Sequence, residues 1–153
     1  MTKEFNKKQV AEIVGIKERQ IQYYAEQGIV LPEIDRGEGR GNVRLYSKKN
    51  IIEFAIIKEL IDWGCSLFII RNVFESLRLP VSDNSGNVVY PDGYIGAWKT
   101  IPKDEYMMIS TLKIGVRIKV EKKADVREFL KFVKKNSALV LNIGNIVSLI
   151  YDL

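Results

Sequence analysis

Apolar or small residues recur at Val10, Ala11, Val14, Ile16, Ile21 and Ala25, with polar residues between them. That spacing is helical rather than strand-like. Val14-Gly15-Ile16 interrupts it, and Gly15 suits the positive φ that closes a helix. The pattern predicts a helix over Lys7–Val14 capped by Asn6, a short turn, and a second helix from about Lys17 to Gln27. Gly28 ends the second helix, and Pro32 prevents it from resuming. Ser47 stands where an N-cap belongs, before a third helix from Lys48 to Trp63. Its apolar arc (Ile51, Ile52, Phe54, Ala55, Ile57, Leu60, Ile61) is broad enough to be packed on more than one side. Gly64 closes it and Ser66 opens a fourth, with the stripe Ile69, Ile70, Val73, Phe74 and Leu77.

Beyond Leu79 the periodicity changes. Asp83-Asn84-Ser85-Gly86 and Pro91-Asp92-Gly93 are turn signals, and Val88–Tyr90 and Tyr94–Trp98 read as the strands of a hairpin. Met107–Thr111 is a third strand candidate, and Val116–Val120 alternates strictly. A helix is predicted to open at Asp125, with a capping-box partner at Glu128. Ala138–Leu141 reads as a strand, and Ile143–Leu153 as a final helix that packs on its own sheet or across a two-fold axis. The fold class expected is α+β, with an N-terminal domain over 1–79 and a small α+β domain with an antiparallel sheet over 80–153.

The second predicted helix turns Ile21, Ala25 and part of Tyr24 inward. Lys17, Arg19, Gln20, Gln22 and Tyr23 are left on the outer faces. Arg and Gln can each hydrogen-bond two atoms of one base edge, and tyrosine hydroxyls suit phosphate oxygens. After Pro32 comes a glycine-rich loop, Asp35 to Tyr46, carrying Arg36, Arg40 and Arg44, with Asn42 beginning its returning strand. A basic loop directly after a helix-turn-helix reads as a wing laid along a phosphate backbone. The N-terminal domain is thus expected to be a winged helix-turn-helix of four helices and a two-stranded wing.

Net charge is +5 with pI near 9.2, which favours a polyanionic partner. The chain has no histidine and one cysteine, so a His/Cys zinc site or a His-dependent triad cannot form within it. Asp104, Glu105 and Glu121 form no recognisable catalytic set, and no enzymatic activity or cofactor is expected. With a single Cys65, no bilayer-length apolar run and no signal-like start, a cytoplasmic, membrane-independent protein is expected.

Taken in order, Val10-Ala11, Gly15-Ile16, Ile21-Gln22-Tyr23-Tyr24, Gly28-Ile29-Val30, Pro32, Arg44-Leu45-Tyr46-Ser47, Gly64-Cys65-Ser66-Leu67 and Ile70-Arg71 resemble the MerR family of bacterial transcription regulators. The resemblance covers residues 5 to about 78. It implies double-stranded DNA as partner, with Arg19, Gln20 and Gln22 at base edges or nearby phosphates. Tyr23 and Tyr24 would approach the backbone, Tyr24 also packing, while Arg44 and Tyr46 would be wing contacts. Arg36 and Arg40 lie in a wing longer than the family's usual form, so charge and position alone assign them. Gln22 stands where many relatives have arginine, which removes a charge from the interface.

The resemblance further implies a homodimer on an inverted repeat, and RNA polymerase at the promoter. Relatives often pair through a long helix after the DNA-binding domain, but Pro80-Val81-Ser82-Asp83 cannot continue one. Sensor cysteines are lacking, so a mercury- or copper-type metal sensor is not expected. Tyr90, Tyr94, Trp98 and Tyr106 form core or, less simply, an aromatic cup for a ligand. The operator, any small-molecule effector and the direction of regulation are not encoded legibly. The alternative carried with this expectation is an architectural DNA-binding protein of phage or plasmid type, an excisionase or partition factor with no effector.

Overall fold

The computed structural model describes residues 3–35, 43–97, 105–111, 116–122 and 138–152. Its elements are α1 (Lys7–Val14), α2 (Glu18–Glu26), α3 (Lys48–Asp62), α4 (Leu67–Arg78), β1 (Val81–Ser82), β2 (Val88–Tyr90), α5 (Gly93–Gly96), β3 (Glu105–Thr111), β4 (Val116–Lys122), β5 (Ala138–Leu141) and α6 (Ile143–Tyr151). They form a helical N-terminal region followed by mixed helix and antiparallel sheet. The backbone groups into two compact units, Met1–Gly64 and Cys65–Asp152. The wing residues Arg36, Arg40 and Asn42, as well as Trp98 and the predicted helix from Asp125, lie outside the described residues.

In the first unit, short-range hydrogen bonds set the helix starts. Asn6 Oδ1 accepts from Gln9 N at 3.0 Å and Gln9 Oε1 accepts from Asn6 N at 2.9 Å, a reciprocal box that satisfies two otherwise orphaned donors. Ser47 and Asn50 repeat the arrangement at the start of α3. α1 ends where Gly15 takes φ +77°, and its N–H donates back to the Ala11 carbonyl at 2.9 Å. α1 packs on α2 and α3, and Val10, Ile21, Ile51, Ile52, Phe54, Ile57 and Leu60 are buried.

Tyr46 belongs to this core. It is fully buried, and its ring stands edge-on to Phe54 with centroids 5.5 Å apart. Its backbone exchanges two hydrogen bonds with Phe5, at 3.0 and 2.9 Å. On the other side of the same short segment, Leu45 exchanges two with Asp35. Each pairing is an isolated bridge, not the longer strand expected over Asn42–Tyr46. Burial pushes the Tyr46 phenol above its ordinary value of 10.0, the Arg44 charge pulls it down, and the Glu26 charge pushes it up.

In the second unit β3 is central, in the order β4-β3-β5, with antiparallel pairing on both sides. Met107 and Ile109, two residues apart on β3, are both buried, as a period of two requires. α6 lies against β3 and buries Ile143, Val147 and Ile150, while α4 lies against β4 and α5. β1 and β2 form a separate two-stranded sheet, Val81 opposite Tyr90. In the turn between them Asp83 Oδ1 accepts from Ser85 N at 2.8 Å and Asn87 N at 3.0 Å. Those bonds, the Asn87 ones foremost, hold the Asp83 carboxyl below its usual range.

One sequence expectation fails here. Tyr94–Trp98 was expected to pair with Val88–Tyr90, but β2 pairs with β1, and Gly93–Gly96 is a helical turn. Gly93 is the reason. It has φ +68°, and a Cβ there would meet the Leu77 carbonyl oxygen and come within 2.7 Å of Arg78 C. Only glycine permits this approach to the end of α4, and the approach turns the chain out of the extended path.

Two stability measurements follow. Gly93→Ala is expected to cost about 2–4 kcal/mol, because backbone overlap adds to the left-handed penalty. Gly86→Ala, at φ +84° in open space, should cost only about 1–2 kcal/mol. Urea unfolding of the full chain compares them, and equal losses would refute the close-approach account. The second measurement concerns Tyr46, whose phenol is raised in the folded state. Its contribution is intact below pH 10, where folded and unfolded chains both keep the proton. Above that the unfolded chain sheds its proton first, and the contribution is lost as pH climbs through the folded value. Tyr46→Phe should therefore flatten the alkaline loss of stability while changing stability at pH 7 by no more than about 1 kcal/mol.

Candidate nucleic-acid interface

The outer side of α2 is a stripe spaced i, i+3, i+4, i+7: Arg19, Gln22, Tyr23 and Glu26 are all exposed. The opposite side buries Ile21 fully and Tyr24 almost so. Tyr23 and Tyr24 are neighbours with opposite environments. Their rings meet edge-on at 5.3 Å, Tyr23 being 42% exposed and Tyr24 8%. Burial, and then proximity to Tyr23, raises the Tyr24 phenol. Tyr24 is thus first a core residue that braces its exposed neighbour.

At the N-terminal end of α2, Lys17 is the capping residue and is exposed. Lysine has no side-chain acceptor, so only one half of a capping box is chemically available: Gln20 Oε1 accepts from Lys17 N at 3.0 Å. Gln20 is half-buried, and its oxygen is committed to holding the helix start. Among the expected base readers it is the one with a local structural duty. Lys17 and Arg19 have no carboxylate at ion-pair distance among the described residues.

The other end of the stripe carries a residue that sequence reasoning passed over. Glu26 Oε1 accepts from Gln22 Nε2 at 2.8 Å and lies 3.7 Å from Arg44 Nη1. Two residues expected to touch DNA, one on the helix and one at the neck of the loop, therefore converge on one carboxylate oxygen. The Gln22–Glu26 spacing was a visible signal, since residues four apart share a helix face. The meeting with Arg44 was not, because it depends on how the neck is held.

That neck is held by buried polar groups. Asn50 Oδ1 accepts from Glu33 N at 3.0 Å and Ser47 N at 3.2 Å, and its Nδ2 donates to Leu31 O at 2.9 Å and Glu53 Oε2 at 2.8 Å. Ser47 Oγ and Lys49 Nζ donate to the two Glu33 carboxylate oxygens. The chain leaving α2 is thereby tied to the start of α3, with residues 36–42 between. Arg44, about one-third exposed by its side chain, sits beside the bridge of Leu45 to Asp35. Tyr46 is corrected from a wing contact to a core residue: with no exposed surface, its ring offers nothing to a phosphate in this structure. Lys49 is ion-paired with Glu33.

Farther along, Cys65 is half-buried, and desolvation raises its thiol above the ordinary 9.0. Tyr90 and Tyr94 have ring centroids 5.7 Å apart, and Tyr106 Oη accepts from Asn142 Nδ2 at 3.2 Å. Among the described residues no helix is long and apolar enough to cross a membrane.

Comparison with known proteins fits this geometry. Residues 5–77 match the family described as MerR HTH family regulatory protein. Three proteins named as uncharacterized HTH-type transcriptional regulators, one from Mycobacterium bovis and two from strains of Mycobacterium tuberculosis, are each 40% identical over 83 residues. The match covers 54% of this chain and 37% of each relative, so the chain spans little more than a third of their length. The likeness to the MerR HTH family of regulatory proteins thus lies in segment 5–77, which holds the helix-turn-helix.

Proposed function

We propose that the protein is a sequence-specific DNA-binding transcriptional regulator that reads duplex DNA with the outer side of α2. The observation that carries this is the stripe Arg19, Gln22 and Tyr23, exposed along one side of a helix whose other side is anchored in the core. An arginine and a glutamine there are suited to base edges, and an exposed tyrosine hydroxyl to a phosphate oxygen. Lys17 and Arg19 add uncommitted positive charge at the N-terminal end of α2, where the helix dipole also favours an anion. The loop 36–42, with Arg36 and Arg40, serves as a wing along the backbone, and Arg44 at its neck adds a phosphate contact. Residues 1–79 act as the DNA-binding domain, and 80–153 as a dimerisation or regulatory domain. Two copies act on an inverted repeat, whose half-site spacing follows their two-fold symmetry. RNA polymerase at the promoter is the further partner, and the chain itself performs no chemistry.

The test begins with selection of bound fragments from a randomised duplex pool by the full chain. Arg19→Ala should weaken binding to the selected duplex by roughly 10- to 100-fold, the loss of a bidentate base contact, without changing the far-UV circular dichroism. Tyr23→Phe should weaken it less, by about threefold to tenfold, for one neutral hydrogen bond. Unchanged affinity in both would exclude this docking. Arg44→Ala should weaken binding by similar factors on selected and unselected duplexes, and lower the salt slope by about one. Sedimentation of the complex should give two chains per selected duplex.

A further inference from the structure

The contact of Glu26 with Gln22 fixes more than a rotamer. A carboxylate neighbour decides which end of a glutamine amide faces it. Glu26 Oε1, 2.8 Å away, can only accept, so the amide end facing it must be the NH2 group. One of the two N–H bonds is thereby taken. What Gln22 keeps for a partner is the other N–H and the whole of Oε1, one donor beside one acceptor. Adenine offers the complement on its major-groove edge, an acceptor at N7 and a donor at N6. Guanine offers acceptors at both N7 and O6, and its O6 would stand against the amide oxygen.

The geometry points to Glu26 as the specificity-determining residue of this interface, a positioning residue that holds the Gln22 amide in the facing that takes adenine and refuses guanine. The inference rests on the proposed DNA-reading role of α2. Glu26 stands at the C-terminal end of an exposed stripe whose other members carry no negative charge, and it is the only carboxylate in that stripe. Its ion pair with Arg44 keeps the carboxylate from being a bare repulsive charge against the backbone. Its hydrogen bond to Gln22 means that the side chain is ordered before DNA arrives, so less freedom is lost on binding.

Three substitutions separate positioning from charge. Glu26→Asp keeps the charge but shortens the reach to Gln22. Glu26→Gln keeps the length but can face Gln22 with either end of its own amide. Glu26→Ala removes both. The duplex is the one selected from the random pool by the wild-type chain, and the base pair read by position 22 is the one whose preference Gln22→Ala abolishes. At that pair the wild type should prefer adenine over guanine by about tenfold, and all three Glu26 variants should fall to within about threefold. Glu26→Gln and Glu26→Ala should also bind unselected duplex more tightly, while Glu26→Asp should not.

A uniform gain of affinity with the adenine preference intact would reduce Glu26 to a repulsive charge and overturn the inference. So would a wild-type preference for guanine at that pair, or a Gln22→Ala variant that loses preference nowhere. If the wild-type chain selects no sequence at all, the DNA-reading role of α2 fails first and this inference fails with it, a result distinct from the others.

Discussion

The buried amide of Asn50 is the constraint on which the candidate interface depends. At 1% exposure, it uses its oxygen twice and its nitrogen twice, on Leu31, Glu33, Ser47 and Glu53. Those partners lie in the chain leaving α2, in the cap of α3 and one turn along α3. No apolar side chain of the same size could do this, because packing resists compression but does not fix direction. In a low-dielectric setting each of these bonds is stronger than in water, and each broken one leaves a costly orphan. The described residues on either side of 36–42 are therefore held at set places. The position of Arg44 relative to α2, and its meeting with Glu26, follows from that.

How much of this was legible depends on the range of the interactions involved. The starts of α1, α3 and α4 were readable at Asn6, Ser47 and Ser66 because a cap is a contact across three residues, and the structure forms each of them. The turn at Gly15 was readable for the same reason. Tyr46 was not, since its surroundings come from Phe5 and Phe54, which reach it only through the tertiary fold. An aromatic after an arginine in a basic loop looks like a surface contact until both of its neighbours are known. Tyr94–Trp98 misled differently. Its residues favour strand, but Gly93 allows the chain to press against the end of α4, and the local preference gives way to that tertiary approach. On the site itself, Arg19, Gln22 and Tyr23 were placed outward by helical spacing alone, and the structure leaves them exposed. The second duty of Gln20 and the role of Glu26 were missed, because a polar side chain on a helix can serve the helix or a partner, and sequence does not say which.

The positive charge of the chain also resolves into something narrower than its sum. Lys7 pairs with Glu18, Lys8 with Glu12, Lys49 with Glu33, Lys58 with Asp62 and Arg44 with Glu26. Most of these pairs are solvent-exposed and add little to stability, but each one locally offsets a cation that might otherwise be counted towards polyanion binding. Lys17 and Arg19, at the start of α2, have no such partner among the described residues. Two cations without an ion-pair partner among the described residues thus stand at one helix end, where the backbone N–H groups already present a partial positive charge.

Glu26 then runs against the ordinary logic of a helix. A carboxylate in the last turn faces the negative end of the dipole, at a cost of about 0.3–1 kcal/mol at an exposed site. Alanine would serve α2 better on propensity alone. The cost is offset in part by Arg44, whose guanidinium places a positive charge where the helix end calls for one, and in part by the hydrogen bond from Gln22. Neither partner needs Glu26 for folding, as Gln22 is exposed and Arg44 is partly so, and water would satisfy both. A residue that is locally unfavourable, and whose side-chain hydrogen bond and ion pair among the described residues go to Gln22 and Arg44, makes sense as part of the outward surface. What Glu26 contributes is the order it imposes on Gln22 and Arg44 before anything binds.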